Sequence, residues 1–326
     1  MTTRRLGLHG FEIGDIGLGC WQFGGAFGPM TDATAEDIMK MAAGSGGDFF
    51  DTANVYGGGR SEELIGRFNR GRDPRVIVAT KYGRGPDAYP DKYSEAGLRG
   101  AIDASRRRLG VESLDLLQLH CIPPTVLREG KIFAWLGRAV DDGLIKHFGA
   151  SVETVEEGMI CLEQEGLLSL QIIFNIFRQK PADKLFPRAR EQGVGIIVRL
   201  PLASGLLSGK FDAGTSFHES DHRNFNCDGQ HFNVGETFAG LPFAQGAELA
   251  GRLKSFVPAG MTMAQMSLRW ILDHDDVSVV IPGASSPQQV GENAAASALA
   301  PLPTELHEKL ADFYRSEVRP HIRGAY

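Results

Sequence analysis

The chain has 326 residues, with 34 Lys or Arg against 40 Asp or Glu, a formal charge of −6 with histidines neutral. A hydrophobic share of 42% and a charged share of 23% are ordinary globular usage and exclude a disordered tail or a low-complexity fibre. The acidic balance leaves no basic face for a nucleic acid, and no apolar run is long enough to span a membrane, so neither is expected as a partner.

Met1 to Gly14 carries Arg4 and Arg5 but no apolar segment of a secretory signal. Cys20, Cys121, Cys161 and Cys227 are scattered without a C-x-x-C pair, which fits a reducing, cytoplasmic setting. Arg4–Gly14 is predicted to form a hairpin. Eight short apolar runs follow: Ile16–Cys20, Asp48–Thr52, Val76–Lys81, Asp115–His120, Phe148–Ser151, Leu170–Asn175, Gly195–Leu200 and Val277–Ile281. Several are continuous rather than alternating, as parallel strands covered on both faces require.

Between the runs the period lengthens to that of a helix. Ser61 before Glu62 and Glu63 reads as an N-cap with acids in the first turn. Leu98, Ala101, Ile102, Ser105 and Leu109 share one face, and Gly110 stops that helix. The basic run Arg106–Arg108 closes it and reads as a solvated end that complements the helix dipole. Thr154 with Glu157 and Thr262 with Gln265 spell capping boxes, and Ala264, Leu268, Ile271 and Leu272 make an apolar stripe. Eight strands alternating with helices, with no shift of composition at mid-chain, predict one (β/α)8 TIM barrel over residues 1–326, its N-terminal hairpin closing the bottom. The stretch Phe211–Gln245 has no clear period and reads as a long loop over the C-terminal face.

A barrel of this kind places its chemistry at the C-terminal ends of its strands. The second predicted strand ends in Asp51, with Tyr56 five residues on; the third ends in Lys81 and the fourth in His120. A cap, a turn residue and a core histidine would explain three of these singly, but lysine is seldom buried unpaired. Together they suit proton transfer to a carbonyl. Lys81 would stabilise the Tyr56 phenolate and draw its pKa down, Asp51 would keep the ammonium charged, and His120 would orient the substrate oxygen.

The runs Asp51-Thr52-Ala53-Asn54-Val55-Tyr56-Gly57, Ala79-Thr80-Lys81-Tyr82-Gly83 and Leu116-Leu117-Gln118-Leu119-His120 resemble the aldo-keto reductase superfamily, and the likeness extends from Arg5-Leu6-Gly7 to Asn293. It implies a TIM barrel, carbonyl reduction with Tyr56 as proton donor, and a nicotinamide cofactor held without a Rossmann fold. No G-x-G-x-x-G opens a βαβ unit here. The resemblance places Gly19 and Trp21 near the nicotinamide, and Ser151 and Gln171 on its carboxamide. It gives the segment with Pro201, Leu202, Ser204, Gly205, Leu206 and Lys210 to the pyrophosphate. Gly283, Ser285, Gln289, Glu292 and Asn293 fall to the adenosine phosphate. Ser286 as N-cap, Pro287 at the first helical position and Gln289 completing a box make that last segment a capped helix start suited to an anion.

Three positions depart from the family pattern. Val152 stands where many relatives have Asn, and Arg199 where many have an aromatic ring stacked on the nicotinamide. No Lys or Arg lies between Gly283 and Asn293. The same segment resembles the potassium-channel beta subunits of the family, which points to NADPH, with NADH not excluded. The expected partner is a small carbonyl substrate, with sugar-like compounds among the candidates. Trp21, Arg84, Asp91 and Arg223 are the candidate substrate contacts. The other readings are a cofactor-binding redox sensor or accessory subunit with little turnover, a Cys20 nucleophile with His120, and a metal centre. For the last, His218, Asp221, His222, Cys227 and His231 cluster in the long loop, but their spacing matches no zinc signature and no metal is expected.

Overall fold

The computed structural model describes residues 1–212 and 214–326; Ala213, inside the Phe211–Gln245 stretch, lies outside the described residues. Strands β1 (Thr3–Arg5) and β2 (Glu12–Gly14) pair antiparallel as the expected hairpin. Then come β3 (Leu18–Gly19), β4 (Phe49–Asp51), β5 (Ile77–Tyr82), β6 (Leu114–His120), β7 (Ile145–Ser151), β8 (Leu167–Ile173), β9 (Gly195–Arg199) and β10 (Val277–Val280). These eight strands pair in sequence order, all parallel. The seam is bridged at Ile16 and Val280, where the Gly17 N–H donates to Val280 O (2.9 Å) and the Gly19 N–H to Pro282 O (3.1 Å). With helices in the connections, the architecture is the expected (β/α)8 barrel.

Side chains two apart on a strand share a face, so each strand's inward residues form a ladder from bottom to mouth. The lower rungs are apolar: Phe49, Ala79, Leu116, Ile197 and Val279 pack in one buried cluster, which Leu6 and Ile13 of the hairpin seal from below. Two residues further along, the same face carries Asp51, Lys81, Gln118 and Arg199. The barrel therefore has a dry floor and a polar mouth, both written into the alternation of its strands.

Several helix ends differ in detail from expectation. The helix Arg60–Asn69 is entered through Gly59 in the left-handed region (φ 103°), not capped by Ser61. Ser61 is buried instead, accepting from Thr52 Oγ1 (2.7 Å) and donating to Cys20 O (3.0 Å), which ties the ends of β3 and β4 together. Arg107 is exposed, but Arg108 donates to the buried Glu62 at 2.6 Å, so the basic run is only partly a solvated end. Both capping boxes, at Thr154 and Thr262, are present. Ser286 caps its helix, whereas Gln289 Oε1 accepts from Ser285 N (2.8 Å), one residue earlier than a box requires. Ala264 is half-buried and lines a surface groove, while Leu268, Ile271 and Leu272 are core.

Candidate active site

The polar rung of the barrel is one hydrogen-bonded unit. Lys81 Nζ donates to Asp51 Oδ1 (2.5 Å) and Thr52 O (2.7 Å), and Tyr56 Oη lies 3.4 Å away. Across the barrel, Asp51 Oδ2 accepts from Gln118 Nε2 (3.0 Å) and Gln171 Nε2 (2.7 Å). Ser151 Oγ donates to Gln171 Oε1 (3.3 Å). Lys81 is 1% exposed, so the ammonium sits in the interior only because Asp51 and a carbonyl surround it. Burial lowers the Lys81 pKa, but Asp51 and Tyr56 together raise it by more, so the net shift is upward.

Tyr56 is placed by backbone geometry. It opens a turn whose next two residues, Gly57 and Gly58, take φ of 62° and 63°, where a side chain would strain the chain. Gly24 lies against it so closely that a Cβ there would stand 2.7 Å from the Tyr56 carbonyl carbon. The phenol ring stacks near Trp21 (centroids 6.1 Å) and meets His120 edge-on (5.9 Å). Burial pushes the phenol pKa up, and Lys81 only partly opposes this. The sign of the lysine's influence is as expected, but the net shift is the reverse: the hydroxyl stays protonated. His120 is held well below its ordinary pKa by burial, then by Arg84 and Lys81, so it is a neutral imidazole; its Nδ1 is buried without a partner.

Beside this unit lies a second, unforeseen charge cluster. Glu236, from the long loop, accepts from Arg84 (2.5 and 3.1 Å). Glu153, two residues beyond β7, accepts from Arg84 (3.3 Å) and from Arg199 (3.0 Å). Burial and the neighbouring Glu236 push the Glu153 carboxyl up to about 7, while Arg84 and Arg199 hold Glu236 well below the usual carboxylate range. Glu153 and Glu236 gave no sequence signal, because a lone acid after a strand or in an aperiodic loop looks like a solvated residue. With Cys121 they bring ligand-type atoms within 4.8 Å of one another, but Arg84 and Arg199 already neutralise the carboxylates. His218, His222, Cys227 and His231 form no such group among the described residues: His218 Nδ1 bonds Ser220 and His222 Nδ1 bonds Ala26 O. Cys20 is buried and its thiol pKa is raised well above the ordinary value, first by burial, which removes the thiolate a nucleophile needs.

These residues surround a cavity of about 550 Å³, open mouth included, lined by Gly19, Trp21, Asp51, Tyr56, His120, Ser151, Gln171, Arg199, Pro201, Glu236 and Gly283 among others. It runs into a groove of about 1430 Å³, also counted with its mouth, with which it shares Gln22, Phe27, Leu200, Pro201 and Gly283. Leu202, Ser204, Gly205, Lys210, Ser285, Gln289, Glu292 and Asn293, drawn from the two segments expected to hold a cofactor, line that groove. Leu206 does not: it is fully buried, with its side chain against Gly246. Arg223 lines the groove rather than the reaction cavity, paired with Asp221 (2.5 Å). Arg84 is engaged in the charge cluster, and Asp91 is exposed and lines neither space.

The long loop packs partly on its own aromatics, Phe217 against Phe238 and Phe243, and partly on the mouth, where His222 meets Trp21 (4.5 Å) and Phe232 lies 5.8 Å from it. It thus covers the cavity, as a functional loop would.

A family model described as the aldo/keto reductase family matches residues 15–315, and the chain belongs to that family. Membership makes it an oxidoreductase of the class acting on small carbonyl compounds. Among curated proteins it is similar to a probable aldo-keto reductase 1 of Glycine max (27% identity, 93% of this chain and 86% of that one). It is also similar to the NADP(+) aldo-keto reductase yakc of Schizosaccharomyces pombe (27%, 98% and 91%) and to a probable voltage-gated potassium channel subunit beta of Arabidopsis thaliana (27%, 94% and 94%). Among solved structures, the glycerol dehydrogenase AKR11B4 of Gluconobacter oxydans superposes with a TM-score of 0.78 at 26% identity, covering 99% of this chain and 98% of that one. The holo form of aldo-keto reductase AKR11C1 from Bacillus halodurans, 24% identical with a TM-score of 0.78 over 100% and 98% of the two chains, shares the fold. No helix among the described residues is long and apolar enough to cross a membrane.

Proposed function

We propose that this chain, acting as one barrel unit in the cytoplasm, reduces aldehyde or ketone carbonyls with a nicotinamide cofactor, NADPH preferred, and that Tyr56 delivers the proton. The observation that carries the reading is the Tyr56 hydroxyl, 3.4 Å from the Lys81 ammonium, in a cavity that opens into a groove. The lining of the cavity and groove supplies donors that suit a dinucleotide. Ser151 and Gln171 line the cavity, while Lys210, Arg223 and residues of the capped helix Pro287–Ala295 line the groove it joins. When bound there, the reduced nicotinamide supplies a hydride to the carbonyl carbon.

The protein's own part is proton delivery and charge control. His120, neutral and with an unpartnered ring nitrogen, orients the carbonyl oxygen. Tyr56 gives its proton to that oxygen as negative charge grows, and Lys81 steadies the phenolate left behind. Asp51, fixed by Gln118 and Gln171, keeps Lys81 charged throughout. The test is loss of reduced-cofactor absorbance across a panel of aldehydes and ketones, with NADPH and NADH compared at saturation. Turnover that vanishes in Tyr56→Phe supports the reading; full turnover in that variant refutes it. The likeness to a channel beta subunit keeps one alternative, a redox sensor or accessory subunit, whose mark is tight cofactor binding without turnover of any carbonyl.

A further inference from the structure

Tyr56 and Lys81 work as a pair only at one spacing, and their own contact does not fix it. At 3.4 Å the Lys81 Nζ to Tyr56 Oη bond is longer than the usual range of about 2.7–3.2 Å. The backbone after Tyr56 is no firmer by itself. Gly57, Gly58 and Gly59 all take positive φ, and glycine has the most conformational freedom to lose. The turn is held instead by the three side chains that follow it. Arg60 donates to Phe23 O, to Met30 O (2.9 Å) and to Asp32 (2.6 Å). Ser61 bonds Thr52 and Cys20 O. Glu62 reaches to the next strand.

Glu62 is fully buried, and proton delivery makes no use of its charge. Its Oε1 accepts from Thr80 Oγ1 (2.5 Å) and its Oε2 from Arg108 Nε (2.6 Å). These are charge-assisted lengths, which offset the cost of burying the carboxylate and leave it little freedom. Thr80 immediately precedes Lys81 on β5, with its side chain on the opposite face of the strand. Arg108 closes over the Tyr56 turn: a Cβ at Gly59 would stand 2.7 Å from Arg108 Cδ, and Arg108 Nη2 donates to Ser105 Oγ (3.3 Å). One carboxylate therefore joins the element that carries the phenol to the strand that carries the ammonium. Glu62, Thr80 and Arg108 do not line the reaction cavity, so they act only through that pair. We propose that Glu62, gripped by Thr80 and Arg108, is a positioning residue that sets the spacing between Tyr56 and Lys81. This rests on the reading of Tyr56 as the proton donor.

The test separates the hydroxyl of Thr80 from its bulk. Thr80→Val keeps the shape and removes the donor; Thr80→Ser keeps the donor and removes a methyl. Misplacing a reacting group by about 1 Å costs up to about 10²-fold, so kcat in Thr80→Val is expected to fall about tenfold, with KM for carbonyl and cofactor within about twofold. The solvent isotope effect on kcat should grow, and Thr80→Ser should stay close to the wild type. No fall in Thr80→Val, a fall with an unchanged isotope effect, or a larger fall in Thr80→Ser overturns the proposal. Tyr56→Phe is assayed alongside: full turnover there refutes the proton-donor reading, whereas loss there with none in Thr80→Val refutes only the role of Glu62. Should Thr80→Val not fold, Arg108→Lys takes its place at a partly exposed position, with a several-fold fall in kcat supporting the proposal and an unchanged kcat overturning it. Should no carbonyl be turned over, the spacing is read by NMR in protein carrying ζ-¹³C tyrosine, the Tyr56 signal being identified by its loss in Tyr56→Phe. A signal that moves in Thr80→Val and not in Thr80→Ser supports the proposal; one that is unmoved, or moves alike in both, overturns it.

Discussion

The Asp51–Lys81 pair and the Arg84–Glu153–Arg199–Glu236 quartet bury opposite charges at the same barrel mouth, but they are assembled differently. Asp51 and Lys81 end adjacent strands, β4 and β5, and their supports Gln118 and Gln171 come from β6 and β8. Every member stands on the barrel wall. The quartet joins one strand end, two residues just past strands and one residue of the long loop; Arg84 and Glu236 lie 152 residues apart. The first cluster is rigid by construction. The second is complete only while the loop brings Glu236 over the mouth, so part of its energetics is tied to covering the site. The barrel supplies fixed chemistry, and the loop supplies a charge that completes the wall around it.

The largest expected effects fall on the strand-borne cluster. Tyr56→Phe removes the proposed proton donor and should lower kcat by about 10²–10⁴-fold, the usual range for general acid catalysis, with cofactor binding and the circular dichroism spectrum retained. Lys81→Met strips a buried carboxylate of its partner and should cost about 3–5 kcal/mol in denaturant unfolding. Arg84→Met is expected to cost less, because Arg84 is 21% exposed and Glu236 still faces Arg199. Equal losses from the two substitutions would erase the distinction between a wall-built and a loop-built cluster.

The fold and the first cluster were legible in the residues because their signals are local. Continuous apolar runs mark parallel strands, and ionisable residues at their ends mark a mouth. Asp51, Lys81 and His120 stand at such ends, and Tyr56 lies five residues past one of them. Where local rules misled, tertiary contacts had overridden them. Ser61 has the composition of a cap but is drawn inward by Cys20 and Thr52, and Gln289 reaches one residue past its expected partner. Leu206 reads as part of a cofactor loop, yet a left-handed stretch at Ala203, Ser204 and Gly205 turns its side chain into the core. Glu153 and Glu236 were not legible at all, because pairing across 46 and 152 residues leaves no periodic trace.

The pH dependence of stability gives a finer contrast. Between the ordinary carboxylate range and about 7, folded Glu153 holds a proton that the unfolded chain has released. Its contribution therefore makes the protein less stable as pH rises through that window. His222, lowered to about 4 chiefly by burial, acts with the opposite sign: stability is lost as pH falls from the ordinary histidine range towards 4. The two oppose each other in the wild type. Glu153→Gln should remove the first alone, so the unfolding free energy of the variant should rise more steeply from pH 5 to 7 than that of the wild type. Parallel curves would show that Glu153 titrates normally and that the quartet is not buried in solution.

The smallest effect joins a legible feature to the illegible one. The capping box at Thr154 does more than start a helix: Glu157 Oε2 accepts from both Thr154 N (3.2 Å) and Glu153 N (2.7 Å). The box thus fixes the backbone of the residue whose carboxylate faces Arg84 and Arg199. Thr154→Ala should cost about 1 kcal/mol, as N-cap losses do, in chemical denaturation. If the quartet depends on that anchoring, the same substitution should also bring the pH 5 to 7 stability profile closer to that of Glu153→Gln. If the profile is unchanged, the two arginines alone hold Glu153 in place, and the helix cap serves only its own helix.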